Sequence, residues 1–100
     1  MKSRTSTLSV GLSIPTYGRK EELNRLLESL SHQSLLPDKI IIVDQNEPGF
    51  LDLVIHEWVD KLPIQHDIVP YKSASKARNH GAQKLTTEIV AFPDDDCIFT

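Results

Sequence analysis

The spacing of apolar residues changes several times along the chain, and each change marks a predicted element. Leu8 to Ile14 reads as a short strand, with Pro15 expected to stop it. From Gly18 to His32 the period becomes helical, because Leu23, Leu26, Leu27 and Leu30 recur at i, i+3, i+4 and i+7. Glu21 and Glu22 fall in that helix's first turn, where the helix dipole favours negative charge. Lys39 to Val43, following Pro37, is a β-branched and almost wholly apolar strand. The turn cluster Asn46-Glu47-Pro48-Gly49 leads into Phe50 to Lys61, where Leu51, Val54, Ile55 and Trp58 trace a second helical stripe that Pro63 ends. Ile64 to Tyr71 is a more polar strand holding His66 and Asp67, which suits a sheet edge. Ser73 or Ser75 is placed to cap a helix running to about Leu85, with Ala77, Gly81 and Leu85 on its buried face. Glu88 to Phe92 then forms the last predicted strand.

The resulting order is β-α-β-α-β-α-β. Strands separated by helices of this length pair in parallel through right-handed crossovers, and continuous apolar strands fit a sheet covered on both faces. The expected fold is α/β, a Rossmann-like three-layer half sheet of about four parallel strands. Residues 1–100 contain no internal repeat, low-complexity tract or linker, so they read as one unit.

Composition narrows the function classes. At 39% hydrophobic and 25% charged, the chain has the balance of a folded globular domain. A formal net charge of -3 argues against a nucleic-acid partner bound by phosphate neutralisation. No apolar stretch approaches the roughly 20 residues of a transmembrane helix. The single Cys97 leaves no internal disulfide and fits a reducing compartment, so a cytoplasmic location is expected.

In a parallel sheet every strand C-terminus lies on one edge, which gathers distant residues. The first strand delivers Pro15, Thr16 and Tyr17; the second delivers Asp44, Gln45 and Asn46; the third delivers Tyr71 and Lys72. The next helix adds Lys76, Arg78 and Asn79 near its start, and Arg78 offers a planar fork suited to phosphate oxygens. The fourth strand delivers three adjacent carboxylates, Asp94-Asp95-Asp96. Alternate residues of an extended segment point the same way, so Asp94 and Asp96 can converge on one hard cation; a solvated acidic loop is the other reading. Asp44 reads either as a turn or cap residue or as an acceptor for a base or ribose. His32, His56 and His66 lack metal-ligand spacing and read as surface or edge residues, and His80 as a partly exposed helix residue. Neither a dinucleotide glycine fingerprint nor a Walker loop can be written on this chain.

Four segments in order carry a resemblance: Leu8 to Arg19, Ile40 to Asp44, Lys76-Ala77-Arg78-Asn79-His80-Gly81, and Ile89 to Asp96. Together they resemble the inverting family 2 glycosyltransferases of the GT-A fold, over nearly the whole chain. The resemblance implies a nucleotide-diphosphate-sugar donor, with Thr16 and Asp44 holding base and ribose and Arg78 near the base or diphosphate. Pro15, Tyr17, Lys76 and Asn79 complete the implied donor site. Asp94-Asp95-Asp96 looks like the family's DxD motif, with Asp94 nearer the ribose and Asp96 the main ligand of a Mn or Mg ion. It further implies a carbohydrate or lipid-linked acceptor, a role in polysaccharide biosynthesis, and work at the inner face of the membrane.

The chain departs from the usual pattern at several points. Gly18 stands where an asparagine is common, Gln45-Asn46 replaces the frequent Asp-Gly, Pro93 replaces a leucine and Cys97 a further acid. The family's general base and acceptor half lie downstream of the DxD motif, so residues 1–100 read as the donor-binding portion, truncated after that motif and expected not to transfer sugar alone. Self-association through an open edge at the fourth strand is expected for the same reason. A nucleotidyltransferase would need a Gly-rich basic loop where Pro15-Thr16-Tyr17-Gly18-Arg19 stands. The alternative from another class is a non-catalytic α/β nucleotide- or metal-binding regulatory module. A receiver-like version of it would want an aspartate where the third strand ends in Pro70-Tyr71.

Overall fold

The computed structural model describes residues 8–93. Its elements follow the predicted order: β1 (Val10–Thr16), α1 (Lys20–Ser31), β2 (Lys39–Asp44), α2 (Asp52–Trp58), β3 (Ile64–Ile68), α3 (Ala74–Lys84) and β4 (Ile89–Ala91). The strands make one four-stranded sheet in the order β3-β2-β1-β4, and every pairing is parallel. Its outer strands, β3 and β4, are the more exposed ones, while β2 is buried almost throughout. The polar β3 therefore does occupy an edge, as its sequence suggested.

Alternation along the central strands divides the interior into two cores. On one face Leu12, Ile14, Ile40 and Ile42 pack against the leucine stripe of α1 and against Leu51, Val54, Ile55 and Trp58. On the other, Ile41 and Val43 meet Val69 and Ala77, with Tyr71 and Leu85 at the margin. Leu23, Leu26, Leu27, Ile40, Ile41 and Ile42 are completely buried, and each such side chain contributes about 1.5–3 kcal/mol of apolar transfer free energy. Trp58 satisfies its indole by donating from Nε1 to Asn24 Oδ1 at 2.7 Å, which ties α2 to α1 and makes the tryptophan a core residue.

Helix α3 lies close against β1. A Cβ at Gly81 would collide with Ser13 Oγ and come within 2.8 Å of Ser13 Cβ, so only glycine permits this approach. Ser13 Oγ donates to the Arg78 carbonyl at 3.1 Å across the same contact. Ser73 caps the helix, its Oγ accepting from the Lys76 N–H at 3.3 Å.

The main departure from expectation is Pro15, which does not end β1 but sits inside it, paired in register with Val43. Val10 and Thr16 turn their carbonyls toward β2, accepting from Asp38 N and Gln45 N, so the alternate residue Pro15 faces the β4 side. Among the described residues the β1–β4 pairing extends only to Leu12 and Ala91, so Pro15, which lacks an N–H, lies beyond the described ladder.

Candidate functional site

The C-terminal edge of the sheet is built from three loops in the described chain, and side-chain hydrogen bonds hold them together. Thr16 and Asp44 are register partners at the tips of β1 and β2, and both are buried. Tyr17, one residue further on, is 53% exposed, and Lys72 from the loop after β3 lies over its ring with Nζ 5.3 Å from the centroid. Gly18 follows with φ +70°, a left-handed conformation open to glycine and, among other residues, most readily to asparagine. The glycine at a position where asparagine is common is thereby explained by backbone geometry.

Asp44 is the most constrained group on this edge. Its side chain is 0% exposed, yet both oxygens are partnered. Oδ1 accepts from the Asn46 backbone N–H and from Asn46 Nδ2, each at 2.8 Å. Oδ2 lies 2.8 Å from His66 Nε2, and since a carboxylate only accepts, the imidazole donates. Burial pushes the Asp44 pKa up, but the hydrogen bonds from His66 and from Asn46 outweigh it and leave the carboxyl below its ordinary value. The group is thus held as an ionised acceptor in a water-poor place.

Gln45 and Asn46, two of the residues noted above as departures, act as ties between loops. Gln45 Oε1 accepts from the Ser73 N–H at 2.6 Å, joining the β2 tip to the start of α3. Asn46 Oδ1 accepts from the Gly18 N–H at 2.7 Å, joining the β2 tip to the loop after β1. Neither role was visible in the sequence, where both residues only weakened the expected pattern. His66 was also missed, because its contact with Asp44 depends on the β2–β3 register that places it beside Ile42.

The remaining candidates are distributed as follows. Pro15 is half-buried within β1, and Lys76 and Asn79 are exposed on α3. Arg78 is half-buried on the same helix, next to the buried Ala77. Lys76 Nζ stands 5.5 Å from the Tyr71 ring centroid. Asp94, Asp95 and Asp96, and with them the whole metal reading, lie outside the described residues. Among the described residues no group of three or more His, Cys, Asp or Glu could hold a metal ion.

A parallel sheet with helices on both faces and polar loops gathered at its C-terminal edge defines a Rossmann-like ligand-binding architecture. The sequence model described as glycosyl transferase family 2 matches residues 12–100, and the chain belongs to that family. It is 34% identical over 94 residues to YwdF, an uncharacterized glycosyltransferase of Bacillus subtilis (strain 168), covering 93% of this chain and 34% of the relative. The chain therefore spans about a third of the length of that relative. Two solved structures share the fold. TarS of S. aureus, residues 1–349 in complex with UDP, superposes with a TM-score of 0.77 at 23% identity, covering 89% of this chain and 28% of that 1–349 chain. The mannosyltransferase PcManGT from Pyrobaculum calidifontis, in complex with GDP-Man and Mn2+, gives 0.82 at 20% identity, covering 95% and 29%. The four-stranded sheet is thus the N-terminal, Rossmann-like portion of a GT-A fold.

Proposed function

We propose that this chain supplies the donor-binding portion of a glycosyltransferase that moves a sugar from a nucleotide diphosphate to an acceptor hydroxyl. The observation that carries the reading is Asp44: a buried, ionised acceptor at the tip of a central strand, with the Tyr17 ring and the start of α3 on the neighbouring loops. An acceptor of that kind suits the N–H or O–H groups of a base or ribose. Thr16 and Asp44 hold the nucleoside, Pro15 and Tyr17 shape its wall, and Lys76, Arg78 and Asn79 serve the base and diphosphate side. TarS with UDP and PcManGT with GDP-Man support a nucleotide-linked donor.

PcManGT with Mn2+ also supports a divalent cation, Mn or Mg, for which Asp94 and Asp96 are the candidate ligands, with Asp95 beside them at the donor. Such an ion offsets the negative charge that grows on a departing nucleotide diphosphate. A carbohydrate or lipid-linked acceptor completes the reading.

Calorimetric titration with UDP, GDP and dTDP, with and without Mn2+, tests it. At least one nucleotide is expected to bind more tightly with the metal, and Asp96→Ala to remove that metal dependence while Asp95→Ala does less. A folded sample that binds none of the three would overturn the donor assignment.

A further inference from the structure

One planar side chain bridges two loops at this edge with the hydrogen-bonding chemistry of a nucleobase. The Asn46 carboxamide donates from Nδ2 to Asp44 Oδ1 at 2.8 Å and accepts at Oδ1 from the Gly18 N–H at 2.7 Å. Its donor and its acceptor sit on the same carbon. The Watson–Crick edge of each base offers the same arrangement, an N–H and an acceptor attached to one ring carbon. The protein groups that hold Asn46 are therefore complementary to a base edge without any change of their own.

We propose that Asn46 is an internal ligand of the nucleobase slot, occupying it when the site is empty and swinging out when the base of a nucleotide enters. This rests on the donor-site reading above and adds a competitor to it.

The exchange leaves no buried group stranded. Asp44 keeps the Asn46 backbone N–H on Oδ1 and His66 on Oδ2, and the incoming base replaces only the carboxamide's two bonds. Asn46 itself is half-buried, and a shallow cavity of about 280 Å³, bounded by Asn46, Pro48, Ile68, Pro70 and Lys72, gives the released side chain room. While the carboxamide is seated the slot is closed, so apparent affinity falls by the fraction of molecules in which it is open.

The test is calorimetric titration of the chain with UDP and GDP in the presence of Mn2+, comparing the native sequence with Asn46→Ala and Asp44→Asn. Removing one competing hydrogen-bonded group is expected to tighten binding about 3- to 10-fold in Asn46→Ala. Unchanged or weaker binding in Asn46→Ala, with binding by the native chain that is lost in Asp44→Asn, overturns the internal-ligand proposal and leaves the donor reading intact. If neither nucleotide binds the native chain or Asn46→Ala, both fall. A second readout needs no variant: the Asn46 side-chain amide resonances should move to a solvent-exposed position on saturation with UDP or GDP. Resonances that stay in place at saturation contradict the proposal even if Asn46→Ala fails to fold.

Discussion

Two aspartate–histidine pairs lie on opposite faces of the same sheet with the same 2.8 Å separation, yet their surroundings differ. Asp44–His66 faces the core formed with α1 and α2, since His66 is the register partner of Ile42. Asp67–His80 faces α3, since Asp67 is the partner of Val43. Asp44 is fully enclosed, sits at a strand tip and takes its other donors from Asn46. Asp67 is partly open to solvent, lies within an edge strand and is further contacted by Gln65 and by the half-exposed Lys84, whose Nζ is 3.8 Å away. One contact type thus serves two ends. At the β2 tip it fixes an acceptor where the loops after β1 and β2 and the start of α3 meet; on α3 it fastens a helix to a sheet edge.

The largest separation between the pairs is expected on deleting the carboxylates. Asp44→Ala empties a fully enclosed site and takes the acceptor from His66 and from the Asn46 backbone N–H, and should cost about 2–4 kcal/mol of folding stability. Asp67→Ala leaves groups that solvent can reach and should cost about 1 kcal/mol. Urea denaturation of both variants measures the difference, and equal losses would remove the distinction drawn here.

Deleting the histidines should give a smaller version of the same contrast. His66→Ala leaves a buried carboxylate short of a donor and is expected to cost about 1–3 kcal/mol, against less than about 1 kcal/mol for His80→Ala. That contrast also marks what the sequence could and could not show. The sheet, its parallel pairing and the polar edge strand follow from apolar runs such as Ile40 to Val43 and from the helical stripes between them, because burial dictates those patterns. The loops' convergence follows from topology alone, which is why Thr16, Asp44 and the start of α3 were anticipated together. His66, Gln45 and Asn46 were not, because their roles lie in side-chain bonds across strands or between loops. Hydropathy carries no signal for such bonds. Pro15 was misjudged for a related reason, since its tolerance depends on which neighbour its missing N–H would have faced.

Acid should weaken both pairs. Burial raises the pKa of Asp67, but the hydrogen bonds from His80 and Gln65 and the charges of Lys84 and His80 leave it below its ordinary value, the same direction as Asp44. A carboxyl whose pKa is lower folded than unfolded contributes stability in full above its unfolded pKa of about 3.9, and loses it as pH falls through the folded value. Stability is therefore expected to fall below about pH 4, and to fall less steeply in Asp67→Asn than in the native chain. A native curve that is flat from pH 5 to pH 2 would contradict this.

Salt should produce the smallest effect and separate the pairs again. The partly exposed Asp67–Lys84 contact is open to screening, whereas Asp44 is shielded. The stability cost of Asp67→Ala should shrink by a few tenths of a kcal/mol between low salt and about 1 M, and that of Asp44→Ala should hold.

The most direct test of the central claim, that Asp44 at the β2 tip contacts the nucleoside and the Asp67–His80 pair does not, is calorimetric binding of UDP and GDP with Mn2+ to Asp44→Asn and Asp67→Asn. An amide at position 44 would offer a donor where a base or ribose donates, so affinity there should drop about 10- to 100-fold, while Asp67→Asn stays within about 2-fold of the native chain. Native-like binding in a folded Asp44→Asn, or an equal loss in both variants, would contradict the account.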